Sequence, residues 1–136
     1  DLADSLTIHA EADTDVKALM ERIRAKGRLA GIAIRPHTPL ENAVQYLNNA
    51  DLFLAMTVEP GFGGQKLDEH VIGKIRALRD LGYKGLIEAD GGITENNIQI
   101  LVENGLTVAV MGTALFHAED MQACVRRLHA SYAGEK

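Results

Sequence analysis

The stretch Met56-Thr57-Val58-Glu59-Pro60-Gly61-Phe62-Gly63-Gly64-Gln65 decides the reading of this chain. It joins an apolar run to a glycine-dense turn, and beyond it Val71, Ile72, Ile75 and Leu78 take up helical spacing. Residues 52–58 read as a strand buried on both faces, so the turn lies at the strand's carboxyl end and opens onto a helix. Gly61, Gly63 and Gly64 have no side chains to keep a ligand from their backbone N–H groups. Several such groups can then converge on one anion. Taken alone, three glycines in a loop also describe a merely flexible turn.

Two later places repeat the pattern. Leu86-Ile87-Glu88-Ala89-Asp90 is a short apolar strand that ends in an acid and Gly91-Gly92, ahead of a helix expected over residues 95–104. Val108-Ala109-Val110-Met111 is another, ending in Gly112-Thr113. In an open α/β sheet or a barrel, strand ends of this kind meet on one face, where ligands bind.

Working outward, residues 5–10 and 29–34 form two earlier strands. Between them lies a helix capped by Asp13 or Thr14, with Val16, Leu19, Met20 and Ile23 as its apolar stripe and Gly27 as its stop. Arg35-Pro36-His37-Thr38-Pro39 is a stiff turn, with Thr38 as cap and Pro39 opening a short helix over residues 40–47. A helix runs to Leu81 and stops at Gly82, a strand covers residues 85–90, and Gly105 closes the helix after it. The next strand is expected over 107–111, a last helix near 119–131, and a frayed tail over 132–136. The result is α/β, with five parallel strand-helix units in one domain over residues 1–136. Five units suit an open sheet, or part of a (β/α)8 barrel, which takes about 250 residues and eight units. The first residue is Asp1 rather than Met, which hints that the true beginning lies elsewhere.

Composition narrows the function. A net charge of -5 with mixed signs argues against a nucleic-acid or anionic-membrane surface. The absence of Trp and the scarcity of other aromatics argue against base-stacking platforms. No apolar run approaches the ~20 residues that span a bilayer. The single cysteine, Cys124, can form no internal disulfide, which fits a reducing cytoplasm.

Asp90 is the leading candidate for chemistry. A carboxylate at a strand end, followed by two glycines that admit a substrate, can act as general acid or base or hold a hard metal ion. Its plainer alternative is to cap the turn or helix that follows. His9 and Glu11 alternate on one strand face and form a weak metal-ligand pair, with a hydrogen-bonded histidine as the commoner outcome. Met56 reads first as core.

The cradle motif, followed by Glu88-Ala89-Asp90-Gly91-Gly92-Ile93 and Gly112-Thr113-Ala114, closely resembles the C-terminal part of ribulose-phosphate 3-epimerases. Order and spacing agree along essentially the whole chain, beginning with Thr7-Ile8-His9-Ala10-Glu11-Ala12 at the family's fourth strand. The resemblance implies a partial TIM barrel whose five units are the fourth to eighth. It also implies a cytoplasmic isomerase of carbohydrate metabolism, interconverting D-ribulose 5-phosphate and D-xylulose 5-phosphate by proton transfer at C3 with a divalent metal, Zn2+ or Fe2+. By position, Asp90 is then metal ligand and acid/base. Gly61, Phe62, Gly63, Gly64, Gly91, Gly92, Gly112 and Thr113 hold the phosphate, and Met56 lines the pocket. Ala89 stands where the family usually has Val. The family's two His and one further Asp ligands come from its second and third strands, which have no counterpart here, leaving the metal site incomplete.

Two further readings stay open: a phosphosugar-binding remnant without turnover, and an epimerase for another ketose phosphate such as D-allulose 6-phosphate, with Glu59 and Gly63 favouring the pentose. The first and last strands are expected as unpaired edges beside apolar surface, so homo-oligomerisation or completion by an N-terminal segment is expected.

Overall fold

The computed structural model describes residues 3–133, so Asp1, Leu2 and residues 134–136 lie outside it. Five strands, β1 (Ser5–His9), β2 (Leu29–Ile34), β3 (Leu52–Met56), β4 (Leu86–Asp90) and β5 (Val108–Val110), form one sheet in sequence order. Every neighbouring pair is parallel. Helices α1 (Val16–Ala25), α2 (Glu41–Val44), α3 (His70–Asp80), α4 (Ile98–Glu103), α5 (Thr113–Phe116) and α6 (Met121–Ala133) supply the crossovers and the close.

The register shows which way the sheet is covered. Ile32, Phe53 and Ile87 share one row, and Ile34, Ala55 and Ala89 another. All six belong to a single core with Val16 and Met20 of α1, Val71, Ile75 and Leu78 of α3, and Ile98 and Leu101 of α4. The alternate rows, Ala33-Leu54-Glu88-Val108 and Met56-Asp90-Val110, point away from that core. Helices therefore lie on one face only, and the strand order never reverses. That is the winding of a barrel segment, and it excludes the doubly wound sheet, which carries helices on both faces and a reversal of strand order. β1 and β5 are the two edges, as expected from the sequence.

Burial accounts for the elements. Val71, Ile75 and Leu78 fall at i, i+4 and i+7 on α3, each 1% exposed or less, and burying such a side chain is worth about 1.5–3 kcal/mol. Phe53 is fully buried and meets Tyr83 edge-on, with ring centroids 6.5 Å apart. Gly82 follows α3 with φ 84°, the left-handed stop that its position predicts.

Several boundaries differ from expectation. Asp15, not Asp13 or Thr14, caps α1: its side chain accepts from the Ala18 amide at 3.0 Å. Thr38 caps nothing, because its hydroxyl donates to Glu11, and the expected helix over residues 40–47 shrinks to α2 plus a 3-10 turn, Leu47–Asn49. The expected last helix is α6, which takes in residues 132 and 133 of the expected tail, and a short helix that the sequence did not suggest, α5, precedes it. Among the described residues no helix is long and apolar enough to cross a membrane.

Candidate functional site

The three turns converge. The carboxyl ends of β3, β4 and β5 enclose a cleft of about 350 Å³, lined by residues 58–65 together with Met56, Asp90, Gly91, Val110, Gly112 and Thr113. Nine of the ten residues singled out from the sequence lie on it. The exception is Gly92, whose φ is 65° and whose missing Cβ would lie 2.4 Å from the Leu67 amide nitrogen. Gly92 serves close packing of the β4 turn on the segment after the cradle. Gly91, with φ 119°, leaves room for the Val58 side chain, which a Cβ would meet at 2.3 Å.

Asp90 is half-buried at the end of β4, in register with Met56 on one side and Val110 on the other. Its carboxylate accepts no hydrogen bond from any described residue, and Asn97, not Asp90, sits at the N-cap of α4. The capping alternative is thereby removed. Glu88, two residues earlier on the same face, has its carboxyl pushed up by burial and by the Asp90 charge.

The cradle is a loop rather than a helix start. α3 begins only at His70, five residues beyond Gln65, so the glycines do not open directly onto it. Among the described residues, 59–64 make no backbone-to-backbone hydrogen bond, and the amides of Gly91, Gly112 and Thr113 are likewise without a backbone acceptor. Around one cleft the chain thus presents unclaimed N–H groups from three turns, an arrangement suited to an anion.

Two residues quoted from the sequence without a role turn out to build the site. Thr57 is fully buried. Its hydroxyl donates to the Gly91 carbonyl, its amide donates to Asp90 O at 2.9 Å, and its carbonyl accepts from Asp68 N at 2.7 Å. A polar residue ending an otherwise apolar strand was the available signal. Gln65 donates to Glu59 O at 2.7 Å and to Phe62 O at 2.9 Å. Val110, rather than Met111, faces the cleft, as the two-residue alternation from Asp90's row requires.

His9 and Glu11 meet as a hydrogen-bonded pair, the commoner outcome expected for this histidine. His9 Nδ1 lies 3.2 Å from Glu11 Oε2, while Glu11 also accepts from Arg35 N at 2.8 Å and from the Thr38 hydroxyl. Burial alone would raise the Glu11 carboxyl, but these donors together hold it below the ordinary range. Lys74 reaches the same turn, donating to the carbonyls of Pro36 and of Thr38, and burial lowers its pKa. Among the described residues no three His, Cys, Asp or Glu side chains are grouped to hold a metal ion. Asp90 by itself does not make up a metal site.

The match to the ribulose-phosphate 3-epimerase family model runs over residues 2–116. The chain belongs to that family. It is 41% identical over 128 residues to the ribulose-phosphate 3-epimerase of Mycobacterium tuberculosis (strain H37Rv), covering 91% of this chain and 56% of that protein. It is 34% identical over 134 residues to the Bacillus subtilis enzyme of the same name, covering 95% and 62%. The family member thus spans little more than half the length of these relatives. Among solved structures, 3-hexulose-6-phosphate synthase superposes with a TM-score of 0.71 at 19% identity, over 96% of this chain and 62% of the other. Thiamine phosphate pyrophosphorylase from Pyrococcus furiosus gives 0.65 at 22%, over 94% and 58%. These two likenesses speak for the fold.

Proposed function

We propose that this chain carries the phosphate-gripping part of a ribulose-phosphate 3-epimerase, corresponding to the fourth to eighth units of the barrel, with Asp90 as one of its two acid/base groups. The observation that carries the reading is a half-buried carboxylate without a hydrogen-bond partner, facing the same cleft as the free amides of three turns. A sugar phosphate whose dianion lies against Gly61, Phe62, Gly63, Gly64, Gly91, Gly112 and Thr113 extends its carbon chain toward Asp90 and Met56. Asp90 takes the C3 proton of D-ribulose 5-phosphate, the C3–H electron pair forms the C2–C3 double bond, and the C2 carbonyl becomes an enediolate oxygen. A proton returned to the other face of C3 gives D-xylulose 5-phosphate, and this needs an acid opposite Asp90.

The remaining donors for a divalent metal, and that second acid, belong to segments beyond the described residues. The open edges β1 and β5 support closure of the barrel by further strands, from a longer form of this chain or from another copy. The buried free thiol of Cys124 supports a reducing compartment such as the cytoplasm. The incomplete metal donor set favours one other reading, a phosphosugar-binding domain without turnover.

An epimerisation assay on D-ribulose 5-phosphate separates the two. In an active preparation, Asp90→Asn lowers kcat by about 10²–10⁴-fold with melting unchanged, the range for losing a general acid/base. Equal activity in the two proteins removes Asp90 from the mechanism, and tight sugar-phosphate binding with no turnover in either establishes the second reading.

A further inference from the structure

The phosphate reading leaves one question: what holds a loop of glycines with its donors facing the ligand. Gly61 and Gly64 have positive φ of 142° and 77°, and a Cβ on either would touch nothing within 4 Å, so packing does not fix this backbone. The only hydrogen bonds that residues 59–64 make, among the described residues, are the two from Gln65 Nε2 to the carbonyls of Glu59 and Phe62. Resting on the phosphate reading, we propose that Gln65 is a positioning residue that sets the polarity of the cradle.

In a trans peptide the C=O and N–H point in opposite directions, so tying down one aims the other. The Phe62 carbonyl and the Gly63 N–H belong to one peptide plane. Holding that carbonyl against Gln65 turns the Gly63 N–H away from Gln65, and Gly63 lies on the cleft beside Thr113, with a Cβ position 3.8 Å from Thr113 Oγ1. The Glu59–Pro60 peptide has no N–H to offer. Tying its carbonyl removes an oxygen that would repel an anion and sacrifices no donor. A primary amide is suited to both tasks, since a single nitrogen carries two N–H donors. Without Gln65 the glycine peptides are free to rotate and present carbonyl oxygen to the ligand.

The test uses inorganic phosphate as the probe, titrated into the whole chain and followed by amide NMR. Gln65→Met keeps the length and removes both donors; Gln65→Glu keeps the shape and replaces the donors with acceptors. We expect phosphate to bind the unaltered protein and to shift the Gly63 N–H. Its affinity falls roughly tenfold in Gln65→Met, as for two neutral hydrogen bonds, and further in Gln65→Glu. Equal affinity in Gln65→Met and the unaltered protein overturns the proposal and leaves the phosphate reading standing. No binding to the unaltered protein overturns both. Should the variants melt early, the unaltered protein still decides: Gln65 side-chain protons that exchange at the solvent rate sink the proposal, and protected ones support it.

Discussion

The two ends of the sheet are built on opposite plans. At the amino ends of the strands, Arg79 donates to Gly105 O through Nε and Nη2 and to the carbonyls of Tyr83 and Gly85 through Nη1, binding three segments at 2.8–3.1 Å. Asp51 accepts from Ala30 N at 2.9 Å and from Arg24 at 3.0 Å, and the Tyr83 hydroxyl donates to Ala50 O at 3.1 Å. Carbonyls there are consumed by long side chains. At the carboxyl ends, six of the ten singled-out residues are glycine, and one glutamine amide restrains the central loop. The contrast puts the dense side-chain hydrogen bonding at one rim and the proposed recognition at the other, a division that barrels show generally.

Arg79→Met breaks the comparison most severely. It strips four hydrogen bonds from half-buried carbonyls and should cost about 2–3 kcal/mol, read as a melting point lower by roughly 8 °C. Phosphate affinity should stay where it was. A matching loss of affinity would mean that the rims are not separable.

Glycine substitutions sharpen the contrast within the carboxyl rim. Gly92→Ala meets the Leu67 backbone and should cost about 1–3 kcal/mol, whereas Gly64→Ala meets open space and bears only the left-handed penalty of about 1 kcal/mol. Denaturant midpoints of the two variants should therefore fall in that order. The reverse order would place Gly92 outside the packing.

The smallest effect is acidic. Glu11 holds the β2 turn with a carboxyl lowered from its ordinary 4.5. A lowered carboxyl adds stability that is fully present above that value and fades as pH falls through the folded one. Because the group is mostly solvated, Glu11→Gln should cost under about 1 kcal/mol at pH 7, with the gap to the unaltered protein closing below pH 4.5. A gap that widens in acid contradicts the assignment.

The parallel winding and the cleft were legible because local signals repeat: an apolar run, a small-residue turn, then a helical stripe. Asp90 stood out because an acid at the end of such a run has no role in a core. What stayed hidden depends on partners distant in sequence. Thr38 carries the local chemistry of a cap, and only the fold brings it to Glu11. Asp13, Thr14 and Asp15 are all capping types, and the structure alone selects the one that reaches Ala18. Val110 and Met111 are equally apolar, so the register had to choose between them. Gln65 had no signature at all, since its partners lie within a loop whose path no periodicity records.

One consequence of the Thr57 contacts reaches beyond this chain. By stitching the cradle strand to both Asp90 and Gly91 from a fully buried position, Thr57 makes the Asp90 strand end and the start of the glycine turn a single rigid jaw. Retargeting such a molecule to a longer ligand cannot proceed by prying those two apart. The room must be found at the tip, where Phe62 is 74% exposed and free to be exchanged.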